Sequence, residues 1–515
     1  MSTQDFARVL GKKETFTLAF GAMIGWGWIV LSGDWVQQAG SIGAPLALAA
    51  GSAIIMIIGL CYSELAAAMP YEGGEHVFSY RAMGHAASFL CTWAMILGYV
   101  SVVGFEAVAL PTVLDNLLPG YQAGFLWNLS GEPQNTTDIV AGIRNGDVYF
   151  TWALVGMLGT IVVTWLNFVG IKTAAKFQTW VTYLILIVGL AFVVAAPFNG
   201  DAANLQPLFN ETPVEGSIFP PMAAGMLAVL LIVPFMFVGF DVIPQAASEI
   251  DLPQKDIGKM LILSVAAAMF FYCAIVLGVG IALNQQQLTD ASLPTPTAME
   301  VVFNSPLAGK IMIFAGLAGI VTSWNAFFIG GSRAIYAMAH AKMLPAFLGK
   351  LHPKYKTPTN AILLIGVITF FAPLLGRKAL VYLVDAGSLS IIIAYFMVCM
   401  SLLVLRRREP NMPRPFFLKH GIFVGAAGCF LSVFLGYMYL PFSPAALTKE
   451  EWLIFGGWMI FGYVLYSFAR YKYGTADSDR LMAGIWANEH EMAKQDQARA
   501  NTKAQGKHKP KPQQG

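Results

Sequence analysis

The sequence predicts an all-α integral membrane protein, and three observations predict it. Of its 515 residues 57% are hydrophobic and only 12% charged, with a mean hydropathy of +0.61; soluble domains carry about twice that charge. Apolar runs of about 20 residues, the length of a bilayer-crossing helix, recur along the chain. Two of those runs, the first and the sixth, are interrupted by glycine or proline.

Twelve spans are expected, at about residues 16–39, 43–68, 87–112, 148–168, 175–197, 221–248, 258–283, 308–338, 359–376, 379–405, 420–440 and 452–470. An even count puts both ends of the chain on one face. Arg8, Lys12 and Lys13 precede the first span, and Lys172 and Lys176 sit between the fourth and fifth. Arg333, Lys342, Lys350, Lys354 and Lys356 follow the eighth, and Arg406, Arg407, Arg408, Arg414 and Lys419 follow the tenth. The opposite loops are poor in base: 113–147 has only Arg144 against Asp115, Glu132, Asp138 and Asp147, and 198–219 has none. The excess of base assigns its face to the cytoplasm, so residues 1–15 are expected to form a cytoplasmic N-terminus of a cell (inner) membrane protein. That polar start lacks the pattern of a cleaved signal peptide. The tail 473–515, rich in Lys and Gln, cannot bury a core and is expected to be a disordered cytoplasmic segment. The five cysteines, Cys61, Cys91, Cys273, Cys399 and Cys429, form no C-x-x-C pair and read as small buried hydrophobes.

The first interruption lies in Gly21-Ala22-Met23-Ile24-Gly25-Trp26-Gly27-Trp28. Each glycine costs a helix about 1 kcal/mol relative to Ala, and in lipid a freed N–H or C=O has no water to turn to. Such a break is tolerated where it is buried in protein or lines a wet cavity. There the half-helix ends aim N–H groups at an anion and C=O groups at a cation. A lone Gly-x-Gly is better read as a close helix contact. The second interruption tips the balance. Span six opens after Pro220-Pro221 and runs into Pro234-Phe235-Met236-Phe237-Val238-Gly239-Phe240-Asp241-Val242-Ile243-Pro244. A mid-span proline removes a donor and clashes with the preceding turn. Two breaks five spans apart are the signature of an inverted five-plus-five repeat, residues 16–197 and 221–405, with a site between the broken helices. Helices eleven and twelve, 420–470, lie outside the repeat.

Five stretches in register resemble the amino acid–polyamine–organocation transporters. Met23-Ile24-Gly25-Trp26-Gly27 is similar to that family's first-helix signature. Tyr62-Ser63-Glu64-Leu65 through Pro70, Gly73, Gly74 and Arg81 to Gly84 resembles the motif after span two. Phe237-Val238-Gly239-Phe240-Asp241, with Glu249, Pro253, Asp256 and Ile257, resembles the sixth-helix segment and its loop. Ser332 to Ala339 with Leu344-Pro345 and Thr357-Pro358 resembles the stretch after span eight, and Leu405 to Pro410 the end of span ten. The resemblance implies the leucine-transporter type of fold, with discontinuous helices 1 and 6.

It also implies site residues. Amides around Gly25, Trp26 and Gly27 would hold a carboxylate, and carbonyls near Met23, Phe235 and Val238 an ammonium. Ile24, Gly239 and the aromatic pocket position Phe327 complete the substrate set, with Phe235 as the aromatic gate. Trp26 departs from the family's Ser or Ala; its ring either points away or fills the pocket. Trp28 departs likewise from Ile. Glu106 and Asp241 lie deep in apolar segments, where a charge costs about 3 kcal/mol or more. Burial favours a protonated carboxyl, so each is a candidate carrier of a coupled proton, the alternative being a neutral acid hydrogen-bonded to a carbonyl. Several family members place a Lys in span five where others bind sodium; the register puts Ile185 there. That slot is then empty or sodium-filled, with Ser323 and Thr322 as hydroxyl ligands or as helix–helix contacts. Asn325 faces either the pocket or a neighbouring helix.

No nucleotide loop, zinc-spaced His cluster or nucleophile elbow occurs, so neither an enzyme nor a cofactor or nucleic-acid partner is expected. The partners are a small-molecule substrate, membrane lipid and a coupling ion, Na+ or H+; the oligomeric state stays open. The expected function is a secondary active permease for an amino acid, working by alternating access. An amine or polyamine transporter or exchanger is the near alternative, because Trp26, Glu106 and Asp241 suit a ligand without a carboxylate. A transport-fold nutrient sensor is the more distant one.

Overall fold

The computed structural model describes residue 6 and residues 8–118, 120–128, 147–212, 219–376, 379–443 and 446–487. Arg144, Glu132 and Asp138 of the base-poor loop lie outside these, as does the tail from residue 488. The chain opens with three short helices, α1 (Lys12–Met23), α2 (Gly27–Val30) and α3 (Ser32–Ala39). There follow α4 (Gly43–Ala68), a short α5 (Glu75–Met83), α6 (His85–Leu117), strands β1 (Phe125–Asn128) and β2 (Asp147–Tyr149), α7 (Phe150–Val169) and α8 (Ile171–Asn199). Next come α9 (Pro221–Phe237), α10 (Val242–Gln245), α11 (Gln254–Ala282), α12 (Gln285–Asp290), α13 (Pro294–Phe303), α14 (Pro306–His340), α15 (Thr359–Phe370) and α16 (Ala379–Arg408). The chain closes with α17 (Gly421–Tyr437), α18 (Lys449–Tyr473) and α19 (Ala476–Ala487).

Among the described residues, nine segments are long and apolar enough to cross a membrane, Pro221–Gln245 counting as one, and α15 and α17 are shorter apolar helices. This is a multi-pass helical membrane protein. The span expected at 16–39 is not among the nine, because it is cut into α1, α2 and α3. Long helices α6 and α14 run through the interior, while α7, α8 and α18 turn Trp165, Trp180 and Tyr463 outward, the apolar face that lipid covers. α18 is clasped to α6 by stacked Trp93 and Trp458, 4.5 Å apart, each indole N–H donating to the other residue's carbonyl.

The structure differs from the sequence expectation in three places. The all-α class needs a small exception: β1 and β2 pair antiparallel, their Phe, Leu, Trp, Val and Tyr favouring extended backbone. Two unexpected short helices, α12 and α13, follow α11, and Thr295 of α13 donates to Trp28 O at 2.7 Å and meets Ser32 at 2.8 Å. The tail is not disordered from residue 473. α19 docks through a buried Met482, Ser478 donates to Ala341 O at 2.6 Å, and Tyr80 donates to Asp479 at 2.6 Å. The overall polarity of the segment hides this one helical turn set with an apolar side.

Several charged residues of the motif stretches form ion pairs. Glu64 takes both Arg406 and Arg414, and Arg81 pairs with Glu409 at 2.6 Å. Arg333 holds Glu249 at 3.0 Å with Glu72 at 3.9 Å, all three about 1% exposed. The N-terminal segment joins this face: Val9 N and Leu10 N donate to Glu249 O at 2.9 and 3.0 Å, and Asp251 N returns to Leu10 O at 2.9 Å.

Candidate substrate site between two helix breaks

α1 is regular to its end, where Ile24 N still donates to Phe20 O at 3.0 Å; bonding resumes with Ile29 N on Trp26 O at 3.0 Å and Leu31 N on Gly27 O at 2.8 Å. Gly25 and Trp26 donate to no backbone carbonyl among the described residues. In the second break Val238 N closes α9 on Pro234 O at 3.2 Å, and α10 starts only at Val242. Between them Gly239 has φ 129°, a conformation that a side chain would strain. A Cβ on Gly239 would lie 2.6 Å from Ala22 Cβ and 3.0 Å from Met23 N. The two breaks thus touch at this glycine.

Beside the contact lies a small cavity of about 40 Å³, room for a few water molecules. Met23, Gly25, Trp26 and Gly27 line it from the first break, and Phe235, Met236 and Val238 from the second. α6 contributes Glu106, and α14 contributes Ser323 and Phe327. Glu106 is 2% exposed; its Oε1 lies 2.6 Å from a Cβ placed on Gly25, and Oε2 has no partner. A buried acceptor without a donor costs about 1–3 kcal/mol, more if charged, so this oxygen is aimed at something that brings a proton or a positive charge. Phe235 covers the cavity with its ring 5.6 Å from Phe105 in an edge-on contact, and Phe327 lies against Tyr99 at 5.5 Å.

Four residues of the expected substrate and coupling-ion set do not line the cavity. Ile24 is fully buried, and its carbonyl lies against Gly319 of α14, where an added Cβ would be 3.0 Å away. Gly239 is the contact between the breaks described above. Asp241 turns back into its own break: Gly239 N donates to Oδ1 and the Tyr99 hydroxyl to Oδ2, each at 2.6 Å. Thr322 donates to Gly319 O at 3.0 Å and faces Gly21, 3.2 Å from a Cβ placed there. Asn325 also belongs to the helix contacts, accepting from Asn167 and donating to Gln178, both at 3.0 Å.

The ring of Trp26 is resolved as well. It packs on Gly316 of α14, whose missing side chain leaves room for it, so the indole lies along the cavity wall. Trp28 is wholly buried, edge-on to Phe271 at 5.2 Å. Sequence reasoning missed Tyr272 of α11, which lines the cavity and donates to Met23 O at 2.7 Å, taking one carbonyl freed by the break. A phenol in an apolar span needs a buried acceptor, and that signal was available. Met236 was also missed: its Cε lies 2.6 Å from a Cβ placed on Gly27, so this flexible side chain fills space beside the first break.

An integral membrane protein with two interrupted helices meeting at a buried acid has the construction of a transporter. The amino acid permease family model matches residues 10–466, and the chain belongs to that family, within the amino acid–polyamine–organocation superfamily. It is 27% identical to the branched-chain amino acid permease BcaP of Bacillus subtilis (strain 168), over 90% of this chain and 93% of that one. It is 24% identical to the methylthioribose transporter of the same organism, over 90% and 94%. Against cationic amino acid transporter 4 of Homo sapiens it is 26% identical, over 79% of this chain and 61% of the relative.

Proposed function

We propose that the chain is a secondary active transporter that carries an amino acid across the cell membrane by alternating access, coupled to H+ or Na+. The observation that carries this reading is the cavity at the two breaks, where Gly25 and Trp26 keep free amides and Glu106 keeps a free oxygen. Free amides suit a carboxylate and the acid suits an ammonium, and an amino acid brings both on one carbon. The names of BcaP and of cationic amino acid transporter 4 point the same way. In this reading α1–α3 act as one span and α9–α10 as another, which with α15 and α17 gives twelve in a five-plus-five inverted repeat plus two. Both termini then lie in the cytoplasm with the basic loops.

A coupled proton has its acceptor in Glu106; a coupled sodium ion would use the hydroxyl of Ser323 and freed carbonyls of the first break. The second reading, an amine transporter or exchanger, is favoured by that same unpaired acid. The test is uptake into proteoliposomes of labelled amino acids and amines under a pH or a sodium gradient, with thermal stabilisation by each compound measured beside it. Uptake of an amine without any amino acid moves the assignment to the second reading. Neither flux nor stabilisation by any member of either class overturns both.

A further inference from the structure

A second buried acid lies away from the cavity. Glu75 opens α5 and is wholly buried, as are Tyr62 of α4, Tyr99 of α6, Asp241 and Gln245 at α10, and Tyr395 of α16. These side chains form one group. Tyr62 lies 5.8 Å from Tyr395, both rings abut Phe240, Tyr99 donates to Asp241, and Gln245 Nε2 donates to Glu75 Oε2. Among the described residues no Lys, Arg or His forms an ion pair with either acid.

The two carboxyls are served unequally. Asp241 has a donor on each oxygen, hydrogen bonds that favour its charged form. Glu75 has Gln245 on one oxygen, while Glu75 Oε1, Gln245 Oε1 and the hydroxyls of Tyr62 and Tyr395 are buried without a hydrogen bond of good geometry. No donor reaches Glu75 Oε1 with good geometry, although two unpartnered hydroxyls lie in the same group. Two buried acids in unlike surroundings divide into one that keeps its charge and one that keeps its proton. We propose that Glu75 is a proton-binding site outside the substrate cavity, which holds one proton beside the Asp241 carboxylate and so keeps α10 packed on α5. Losing that proton places two negative charges in one dry group and loosens Gln245, which joins the inner half of the second break to α5. Burial, and then the charge of Asp241, push the Glu75 carboxyl well above the ordinary range. The other titratable groups facing it are Tyr62, Cys91, Tyr99 and Tyr395.

The sign of the pH effect follows. A carboxyl whose folded pKa is raised contributes stability at low pH, and that contribution is lost as pH rises through the folded value. The test is the thermal midpoint of the purified full chain, without substrate, from about pH 5 to 9 in choline or sodium salt. For the natural sequence the midpoint should fall with rising pH by on the order of several degrees, equally in both salts, and Glu75→Gln should flatten the curve. A Glu75→Gln curve that still falls as the natural one does overturns the proposal. So does a rise with sodium at high pH that Glu75→Gln abolishes, since the ligand is then a metal cation. Should Glu75→Gln not accumulate, Glu75→Asp, which draws the carboxyl back from Gln245, should displace the curve along the pH axis; an unmoved curve overturns the proposal. Because no substrate is used, the result stands apart from the transport reading.

Discussion

The two helix breaks are built alike in sequence and finished differently in structure. In the first, Gly25 and Trp26 keep amides without backbone partners, and the cavity is next to them. In the second, Gly239 N is bonded by Asp241, which Tyr99 holds in turn. An interruption in a membrane helix must satisfy its loose groups from somewhere. The second does so from Asp241 and Tyr99; in the first the Gly25 and Trp26 amides stay without a backbone partner beside the cavity.

That contrast can be broken by four substitutions, in falling order of effect. Gly239→Val forces a branched side chain into φ 129° and against Ala22 and Met23 N; strain and overpacking together should cost on the order of 3 kcal/mol or more, read as a large fall in thermal midpoint and loss of uptake. Asp241→Ala strands the Gly239 amide and the Tyr99 hydroxyl, two buried donors at about 1–3 kcal/mol each, so the midpoint should fall even without substrate. Glu106→Gln should do the reverse: substrate affinity should drop about tenfold or more, the loss of one charged hydrogen bond at about 1.5–3 kcal/mol, while the midpoint without substrate holds or rises. Equal destabilisation by Glu106→Gln and Asp241→Ala would erase the distinction between the breaks. Thr322→Ala removes only a hydroxyl bonded to Gly319 O and should shift stability by about 1 kcal/mol or less, with affinity and sodium dependence unchanged.

Much of this was legible in the residues. Glycine and proline punctuation placed both breaks within a few positions, since local backbone cost does not depend on what packs nearby. Glu106 was legible because an acid in an apolar run demands a reason. Asp241 met the same criterion and proved to hold its own helix end, because the rule registers a need for partners without saying which. Thr322 and Ser323 are adjacent, yet Thr322 packs on Gly21 while Ser323 reaches the cavity beside Gly25, a difference of about 100° around α14 that composition cannot rank. For Tyr272 the residue type signalled a need for a buried acceptor, but that the acceptor is Met23 O depends on which distant segment comes to rest against it.

The bridge between Leu10 and Ile250 ties the start of the chain directly to the connection that leaves the second bend. Glu249, whose carbonyl accepts from Val9 N and Leu10 N, also grips Arg333. The amino terminus is therefore a tether on the region where the basic residues gather. A fluorophore attached just ahead of Val9 would move with that region, whereas cutting the chain back past Leu10 would leave pairs such as Arg333 with Glu249 to hold it alone.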